Sequence, residues 1–134
     1  ALYLLAFANI TCAEEPHIIK PIDPKTTLED FAWTHRPIIV FANSPNDINF
    51  KRQIAMLRTS IIELEECNVV VLLDADPVAN NPLRKALRPR GFAIILVGKD
   101  GQIKLRKPLP QDVRSLSRAI DKMPMRRQEI KASK

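Results

Sequence analysis

Glycine is scarce in this sequence, with only three among 134 residues. Nucleotide-binding loops place several glycines close together, so that the backbone can approach the phosphates. Gly91, Gly98 and Gly101 do not form such a cluster. Their spacing argues against a phosphate-binding loop of either the P-loop or the dinucleotide type.

Cysteine is scarcer still, with Cys12 and Cys67 alone. Residues 1–13 form an apolar run that is too short to span a bilayer as a helix and that ends on small residues before an acidic pair. We interpret residues 1–13 as the remnant of a secretory signal peptide cleaved after Ala13, which predicts a periplasmic or secreted protein without a transmembrane helix in its mature form. Cleavage would remove Cys12 and leave Cys67 without an intramolecular partner. The alternatives are a buried N-terminal strand and lipidation of Cys12.

The charge is distributed unevenly along the chain. The formal net charge is +6, but residues 1–83 carry 6 Lys and Arg against 11 Asp and Glu, whereas residues 84–134 carry 15 against 4. The two parts therefore have net charges of −5 and +11. A basic surface attracts anionic partners, although solvated charge is the commoner explanation of such a bias.

Three apolar runs rich in β-branched residues, at 37–42, 69–73 and 92–97, predict central strands covered on both faces of a sheet. Between the first two, Ser44 as N-cap and Pro45 at the first helical position predict one long helix through Leu64. This strand–helix–strand unit predicts parallel pairing. A short helix at 82–87, a hairpin turn at 98–101 with a returning antiparallel strand, and a helix from Pro110 to Pro124 complete the pattern.

These elements predict one α/β domain. Residues 14–25 are rich in proline and predict an extended lead-in, while Thr26 followed by Glu29 resembles a capping box that opens a short helical turn. The domain itself is assigned to residues 26–124, with a basic C-terminal tail at 125–134. The expected architecture is a three-layer sandwich, in which helices flank a central mixed sheet of about four strands.

The order of elements resembles the thioredoxin-like arrangement, and the hairpin at 92–103 looks like that of peroxiredoxins. More specifically, the chain resembles P-DUDES, an atypical thioredoxin-like domain of unknown function found in secreted bacterial proteins and in vertebrate extracellular proteins such as equarin. The segments that carry this resemblance are Phe31-Ala32-Trp33 with Arg36-Pro37, Gly98-Lys99-Asp100-Gly101 with Lys104-Leu105, and residues 120–129. The resemblance implies export, offers no established catalytic residues, and suggests a binding role by analogy with the matrix-associated vertebrate members.

The position of a thioredoxin-like nucleophile holds no cysteine. That place, after the first central strand, reads Asn43-Ser44-Pro45-Asn46-Asp47. We interpret Ser44 as a helix cap and not as a nucleophile, since neither His17 nor His35 is placed to activate it. Cys67 lies toward the opposite end of the sheet and is interpreted as a buried structural thiol. The alternative is a divergent thioredoxin-like thiol oxidoreductase or peroxidase that uses Cys67.

Asp74 and Asp76, at the end of the second central strand, are too few to predict a metal site. We predict no metal and no other cofactor. The leading hypothesis is a noncatalytic binding or scaffold domain that engages an anionic glycan, a lipid headgroup or an acidic protein. Because Phe92 is the only aromatic residue after position 83, base stacking and hence nucleic-acid binding are poorly supported. The candidate binding residues are Arg84, Arg88, Arg90, Lys99, Lys104, Arg106, Arg126 and Arg127.

Overall fold

A computed structural model describes residues 18–133, and within them the chain forms a five-stranded mixed sheet in the order β1-β3-β2-β4-β5. β1 and β2 both run parallel to β3, β4 runs antiparallel to β2, and β5 runs antiparallel to β4. The strands are β1 (Ile19–Pro21), β2 (Arg36–Phe41), β3 (Val69–Asp74), β4 (Ala93–Val97) and β5 (Ile103–Lys107).

Helices cover both faces of this sheet, and the two layers of side chains differ in size. The larger layer packs the sheet against α1 (Ile48–Arg58), α2 (Ile61–Glu66) and α4 (Val113–Asp121). The smaller layer packs the opposite face against α3 (Pro82–Leu87) and a 3-10 turn at Leu28–Phe31. The result is the predicted three-layer sandwich, because successive residues of a buried strand point to opposite faces and both faces need cover.

The three predicted central strands are confirmed. Nearly every residue of β2, β3 and β4 is buried, which explains why their sequences are continuous apolar runs instead of alternating ones. The predicted hairpin is also confirmed: the Gly98 N–H donates to the Gln102 carbonyl at 2.9 Å, and Gly101 adopts a φ of +81° that favours glycine. β5 is largely exposed, as its alternating sequence indicates.

The predicted lead-in contains a strand. Ile19 pairs with Val71 in parallel register, and the Ile22 N–H donates to the Leu73 carbonyl at 2.9 Å, so this segment extends the sheet by one strand. The sheet has five strands where about four were expected. β1 is only three residues long and contains Pro21, which explains why no strand pattern was recognised there.

The predicted long helix begins later and is divided in two. α1 begins at Ile48, and its N-cap is Asp47, whose carboxylate accepts from the N–H groups of Asn49 and Phe50. The helix ends at Arg58, and α2 begins at Ile61 after a break at Thr59 and Ser60. The apolar spacing continues across this break, so the pattern alone did not reveal it.

Two other helix starts also differ from expectation. The 3-10 turn is opened by Thr27, whose N–H donates to Asp30 Oδ2 at 3.1 Å, one residue after the predicted Thr26 and Glu29 pair. The helix expected from Pro110 begins at Val113, where the Asp112 carboxylate accepts from the Ser115 N–H at 2.7 Å. In both places an aspartate provides the polar contact that fixes the start.

Residues of the predicted basic tail form α5 (Pro124–Ala132). Pro124 occupies the first turn, where its missing N–H costs nothing. Within residues 18–133, no helix has both the length and the apolar character needed to cross a membrane. The predicted signal peptide, Cys12 and His17 lie outside the described residues.

Candidate functional site

The two ends of the central sheet present different chemistry. We call the end where β1, β2 and β3 finish the carboxyl edge, and the end where β2 and β3 begin the amino edge. The turn between β4 and β5 lies at the amino edge, because β4 runs antiparallel to β2. Each edge contains one buried arginine, Arg84 at the carboxyl edge and Arg36 at the amino edge.

The start of α1 follows the carboxyl end of β2, where a thioredoxin-like nucleophile would stand. Ser44 Oγ accepts from the Asn46 N–H at 3.1 Å, so its contact is a local turn contact and the cap is Asp47. The Asp47 carboxylate occupies the free N–H groups that would otherwise stabilise an anion at a helix start. His35, the one histidine among residues 18–133, is exposed and lies before β2, at the opposite end of that strand from Ser44.

A pocket of about 940 Å³ opens at the carboxyl edge. Five prolines contribute to its lining, and proline has no N–H to offer a ligand. Asp76 and Lys85 are exposed charged residues in the lining of this pocket. The buried polar side chains beside it, Asp74, Asn81 and Arg84, are hydrogen-bonded to one another. The lining residues are Pro21, Ile22, Pro24, Asn43, Pro45, Leu73, Asp74, Ala75, Asp76, Pro77, Val78, Ala79, Asn80, Asn81, Pro82 and Lys85.

The base of this pocket is held by an ion pair between Arg84 Nε and Asp74 Oδ2 at 3.0 Å. Arg84 Nη2 also donates to the carbonyl oxygens of Ala42 and Asp74, and its guanidinium lies 5.2 Å from the centre of the Phe41 ring. Asn81 Nδ2 donates to Asp74 Oδ2 at 2.7 Å. Arg84 was predicted to belong to an exposed basic face, but its side chain is only 8% exposed and it ties α3 to the ends of β2 and β3.

Asp74 ends β3 and Asp76 follows two residues later, and the contacts of Asp74 lie within the protein. Asp74 is committed to Arg84, Asn81 and the Asp76 N–H. Within residues 18–133, no group of three or more His, Cys, Asp or Glu side chains is placed to hold a metal ion.

Cys67 is the C-cap of α2 at the amino edge, and Asn68 separates it from β3. Its side chain is buried, as predicted, and burial raises the pKa of the thiol above its ordinary 9.0 in spite of the nearby Arg126 and Arg36. The protonated thiol therefore prevails at neutral pH, and the thiolate is the reactive form. Cys67 is the one cysteine among the described residues, and it is free.

The other predicted basic residues divide between the two edges. Arg88, Arg90 and Arg106 meet Lys107, a residue that the sequence analysis did not select, in a groove of about 340 Å³ beside the end of β5. Arg106 is fixed there, because its Nη1 and Nη2 donate to the carbonyl oxygens of Leu87 and Arg88 at 2.6 and 3.0 Å. We call this the basic groove. Its remaining lining residues, Phe92, Ala93 and Pro108, carry no charge.

Lys99, Lys104 and Arg126 lie at the amino edge and have acidic partners. Lys104 Nζ pairs with Asp100 at 3.0 Å, and Lys99 Nζ pairs with Glu129 at 2.7 Å. Arg126 Nε lies 3.5 Å from Asp121. Arg127 is exposed on α5, apart from the basic groove.

Arg36 and Glu129 are the residues that sequence reasoning missed. Arg36 is fully buried and donates through Nη1 and Nη2 to Glu129 Oε1 and Oε2 at 3.2 and 3.0 Å. The signal was present, because Arg36, Lys99 and Glu129 belong to the three separate segments that carried the family resemblance. The fold brings all three segments to the amino edge.

Comparison with known families matches residues 27–129 to a domain of unknown function, DUF4174. The chain belongs to this family. Comparison with curated proteins gave no match. The family assignment therefore brings no catalytic residues with it.

Comparison with solved structures shows the thioredoxin-like fold. Thioredoxin peroxidase I of Plasmodium yoelii superposes with a TM-score of 0.61 at 14% identity, over 75% of this chain and 79% of that one. Reduced desulfothioredoxin of Desulfovibrio vulgaris Hildenborough superposes with a TM-score of 0.58 at 16% identity, over 81% of this chain and all of that one. The reduced 2-Cys peroxiredoxin of Plasmodium vivax superposes with a TM-score of 0.60 at 13% identity, over 76% of this chain and 83% of that one. The predicted fold class is confirmed, and at these identities the likeness concerns the fold alone.

Proposed function

We propose that this DUF4174 domain is an exported, noncatalytic binding module that holds anionic groups in the basic groove. The observation that carries this proposal is that Arg88, Arg90, Arg106 and Lys107 line one groove to which no acidic residue of 18–133 contributes. Four like charges in one concave surface raise the local concentration of anions. The ligand class is a sulfate, phosphate or carboxylate group, supplied by a glycan, a lipid headgroup or an acidic protein.

The groove is preorganised as well as charged. Arg106 cannot swing freely, because it is bonded to two carbonyl groups at the end of α3. Arg88 closes the same helix in a left-handed conformation with a φ of +49°, which is costly for a residue other than glycine. A fixed cation loses less entropy on binding than a mobile one. These features favour recognition of a placed anion over nonspecific attraction.

Export and the relation to P-DUDES are part of the same proposal. They rest on the apolar run at residues 1–13 and on the three resembling segments. An extracellular or periplasmic domain meets sulfated or phosphorylated polymers and membrane surfaces. These suit a basic groove whose one aromatic residue among those described, Phe92, is buried and offers little surface for base stacking.

The competing function is thiol chemistry at Cys67, and the geometry favours it less. The thiol is buried, its pKa is raised by burial, and it lies at the amino edge, far in the fold from the start of α1. Titration with peroxide decides between the two. Oxidation of the folded protein faster than that of free cysteine would support the redox function and contradict a noncatalytic domain.

The binding test compares two triple variants that lose the same charge. The groove variant is Arg88→Asn, Arg90→Gln and Lys107→Gln, which keeps the structural contacts of Arg106. The control is Lys51→Gln, Arg52→Gln and Lys122→Gln, three exposed cations outside the groove. Each is applied to immobilised heparin, to vesicles containing anionic phospholipid, and to an immobilised polyglutamate over a salt series.

We expect the groove variant to elute from one of these matrices at clearly lower salt than the wild type, while the control elutes close to it. The matrix concerned identifies the source of the anion. Equal losses in the two variants would show attraction by net charge alone, and would overturn the groove as a binding site.

A further inference from the structure

α5 is attached to the rest of the domain mainly by charge. None of its residues is buried. Its side-chain polar contacts outside the helix are made by Glu129, which reaches Arg36 and Lys99, and by Arg126, which pairs with Asp121 and whose Nη1 donates to the Glu66 carbonyl at 3.1 Å. The apolar residues Met125 and Ile130 are only half-buried. A surface helix is usually held by an apolar stripe that faces the core. α5 has no fully buried residue, so the ion pairs of Glu129 provide a large share of its attachment.

Arg36 and Lys99, which donate hydrogen bonds to the Glu129 carboxylate, lie outside α5. Arg36 comes from β2 and is held by a 2.6 Å bond from its Nη1 to the Cys67 carbonyl. Lys99 comes from the turn between β4 and β5, and its Nζ also donates to Asn68 Oδ1 at 3.0 Å. The Arg36 guanidinium donates to both oxygens of the carboxylate, and Lys99 donates to one of them. Such an arrangement is suited to recognising a carboxylate.

One atom of the groups that bind the Glu129 carboxylate is left without a protein partner. Arg36 Nε is buried and makes no hydrogen bond to any residue of 18–133. A void of about 30 Å³, enough for one water, is lined by Arg36 and Lys99. By contrast, the Glu129 side chain is 26% exposed, so the occupant of this site is accessible to solvent while Arg36 is not.

We propose that Arg36 and Lys99 form a carboxylate-binding site, which Glu129 of α5 occupies in this structure. When α5 detaches, a glutamate on a peptide segment of another chain binds at the same site. The ligand class is a peptide carboxylate. α5 then acts as an internal competitor, and it has to leave before the ligand enters. This site is separate from the basic groove, so the proposal is independent of the proposed function.

The charged groups that face Glu129 set how α5 responds to conditions. Arg36 faces it from β2, Lys99 from the turn, and Arg126 from within α5 at 3.6 Å. Asp121 of α4 faces Arg126 and does not contact Glu129. Among residues 18–133, the three charged groups that pair with Glu129 are all cations. Acid therefore weakens docking by protonating the carboxylate, and high salt weakens it by screening the ion pairs.

The test uses the full chain with Glu129→Ala, which removes the internal carboxylate. The first probe is acetate, compared with chloride at equal ionic strength. The second is a fluorescent peptide with the sequence of residues 123–133, compared with the same peptide carrying Glu129→Gln. Glu65→Ala, which removes an exposed carboxylate from α2, is the control chain.

We expect acetate to raise the melting temperature of the Glu129→Ala chain and to leave that of the wild type and of Glu65→Ala unchanged. The glutamate peptide should bind the Glu129→Ala chain about tenfold or more tightly than the glutamine peptide, since a hydrogen bond to a charged group is lost. Wild-type protein should bind it more weakly, because α5 occupies the site.

Equal binding of the two peptides, or no binding, would overturn the proposal. Stabilisation by acetate without peptide binding would overturn the assignment to a peptide ligand. If Glu129→Ala does not fold, hydrogen exchange of the wild type decides instead. The amides of α5 should then exchange faster as salt is raised while those of α4 do not, and uniform behaviour of the two helices would contradict a detachable α5.

Discussion

Two buried arginines, one at each edge of the sheet, each pair with a carboxylate, but the two ion pairs differ in how far solvent reaches them. Arg84 is paired with Asp74, ten residues away, and both side chains are nearly inaccessible, at 8% and 2% exposure. Arg36 is paired with Glu129, 93 residues away, and its partner is 26% exposed. We call the ion pair at the carboxyl edge closed, because solvent reaches neither side chain to any extent. We call the ion pair at the amino edge open, because solvent reaches the carboxylate of Glu129.

The hydrogen bonds account for the difference. Around Arg84, carbonyl oxygens and Asn81 also bond the pair, and no buried side-chain atom of Arg84 or Asp74 is left without a partner. Around Arg36, Nε lacks a partner among the described residues, and a second cation, Lys99, shares the carboxylate. A buried pair whose buried atoms are all bonded fixes a structure, whereas the Arg36 pair has one more hydrogen bond to make.

Asp74→Ala should have the largest effect. It leaves the Arg84 guanidinium buried without its counterion, and loss of one partner of a buried pair costs about 3–5 kcal/mol of the free energy of unfolding. Urea denaturation measures this loss. The control is Asp76→Ala at the same edge, an exposed carboxylate that should change stability by less than about 0.5 kcal/mol. Similar losses in the two variants would contradict a closed pair.

Glu129→Gln should cost less, about 1–3 kcal/mol, because the amide keeps part of the hydrogen bonding and solvent reaches the site. Partial burial by itself would raise the pKa of Glu129, but hydrogen bonds from Arg36 and Lys99 outweigh it and lower that pKa below its ordinary 4.5. The carboxylate therefore contributes its full stability above pH 4.5, and this contribution is lost as the pH falls toward the folded-state pKa.

The difference in stability between wild type and Glu129→Gln should accordingly be greatest at neutral pH and shrink in acid. Denaturation at a series of pH values tests this. A difference that stays constant across the series would show that the charge of Glu129 does not hold α5.

Asp47→Ala should cost about 1 kcal/mol, because two N–H groups at the start of α1 lose their acceptor. Ser44→Ala should cost less, since Ser44 accepts only from the Asn46 N–H and does not cap the helix. Thermal unfolding of the two variants compares them directly. A larger loss for Ser44→Ala would restore Ser44 as the cap.

Asp100→Asn should have the smallest effect, within about 0.5 kcal/mol, as is usual for an exposed ion pair. The hydrogen bond from the Gln102 N–H lowers the pKa of Asp100, with a smaller contribution from Lys104, and asparagine keeps an acceptor for that N–H. Its unfolding curve should nearly superpose on that of the wild type. A marked loss would mean that the amino edge holds a second structural pair.

Parts of the fold governed by local pattern were predicted well. β2, β3 and β4 followed from continuous apolar runs, and α3 followed from the Asn81-Pro82 pair, where Asn81 Oδ1 accepts from the Arg84 N–H at 2.9 Å. β1 was missed, because its three residues gain their strand geometry only by pairing with β3. The break between α1 and α2 was missed because the apolar spacing continues through it.

The candidate site was predicted less well, for a physical reason. Sequence alone shows that Arg84, Arg88 and Lys99 are basic, but burial and pairing divide them among a structural ion pair, the basic groove and the site of Glu129. Arg36 was not selected at all, although its segment had been. The sequence shows which side chains are charged, but burial and pairing in the fold decide which of those charges a ligand can reach.

The sequence by itself determined the α/β class, the central strands, and the absence of a cysteine where a thioredoxin-like enzyme would need one. These follow from apolar periodicity and residue identity, which act over a few neighbouring positions. Only the tertiary structure decided which charges are free. Arg36 and Glu129 are 93 positions apart, and their contact exists because β2, the turn after β4 and α5 meet at one edge of the sheet. No local pattern encodes such a meeting, since it depends on how the whole core packs.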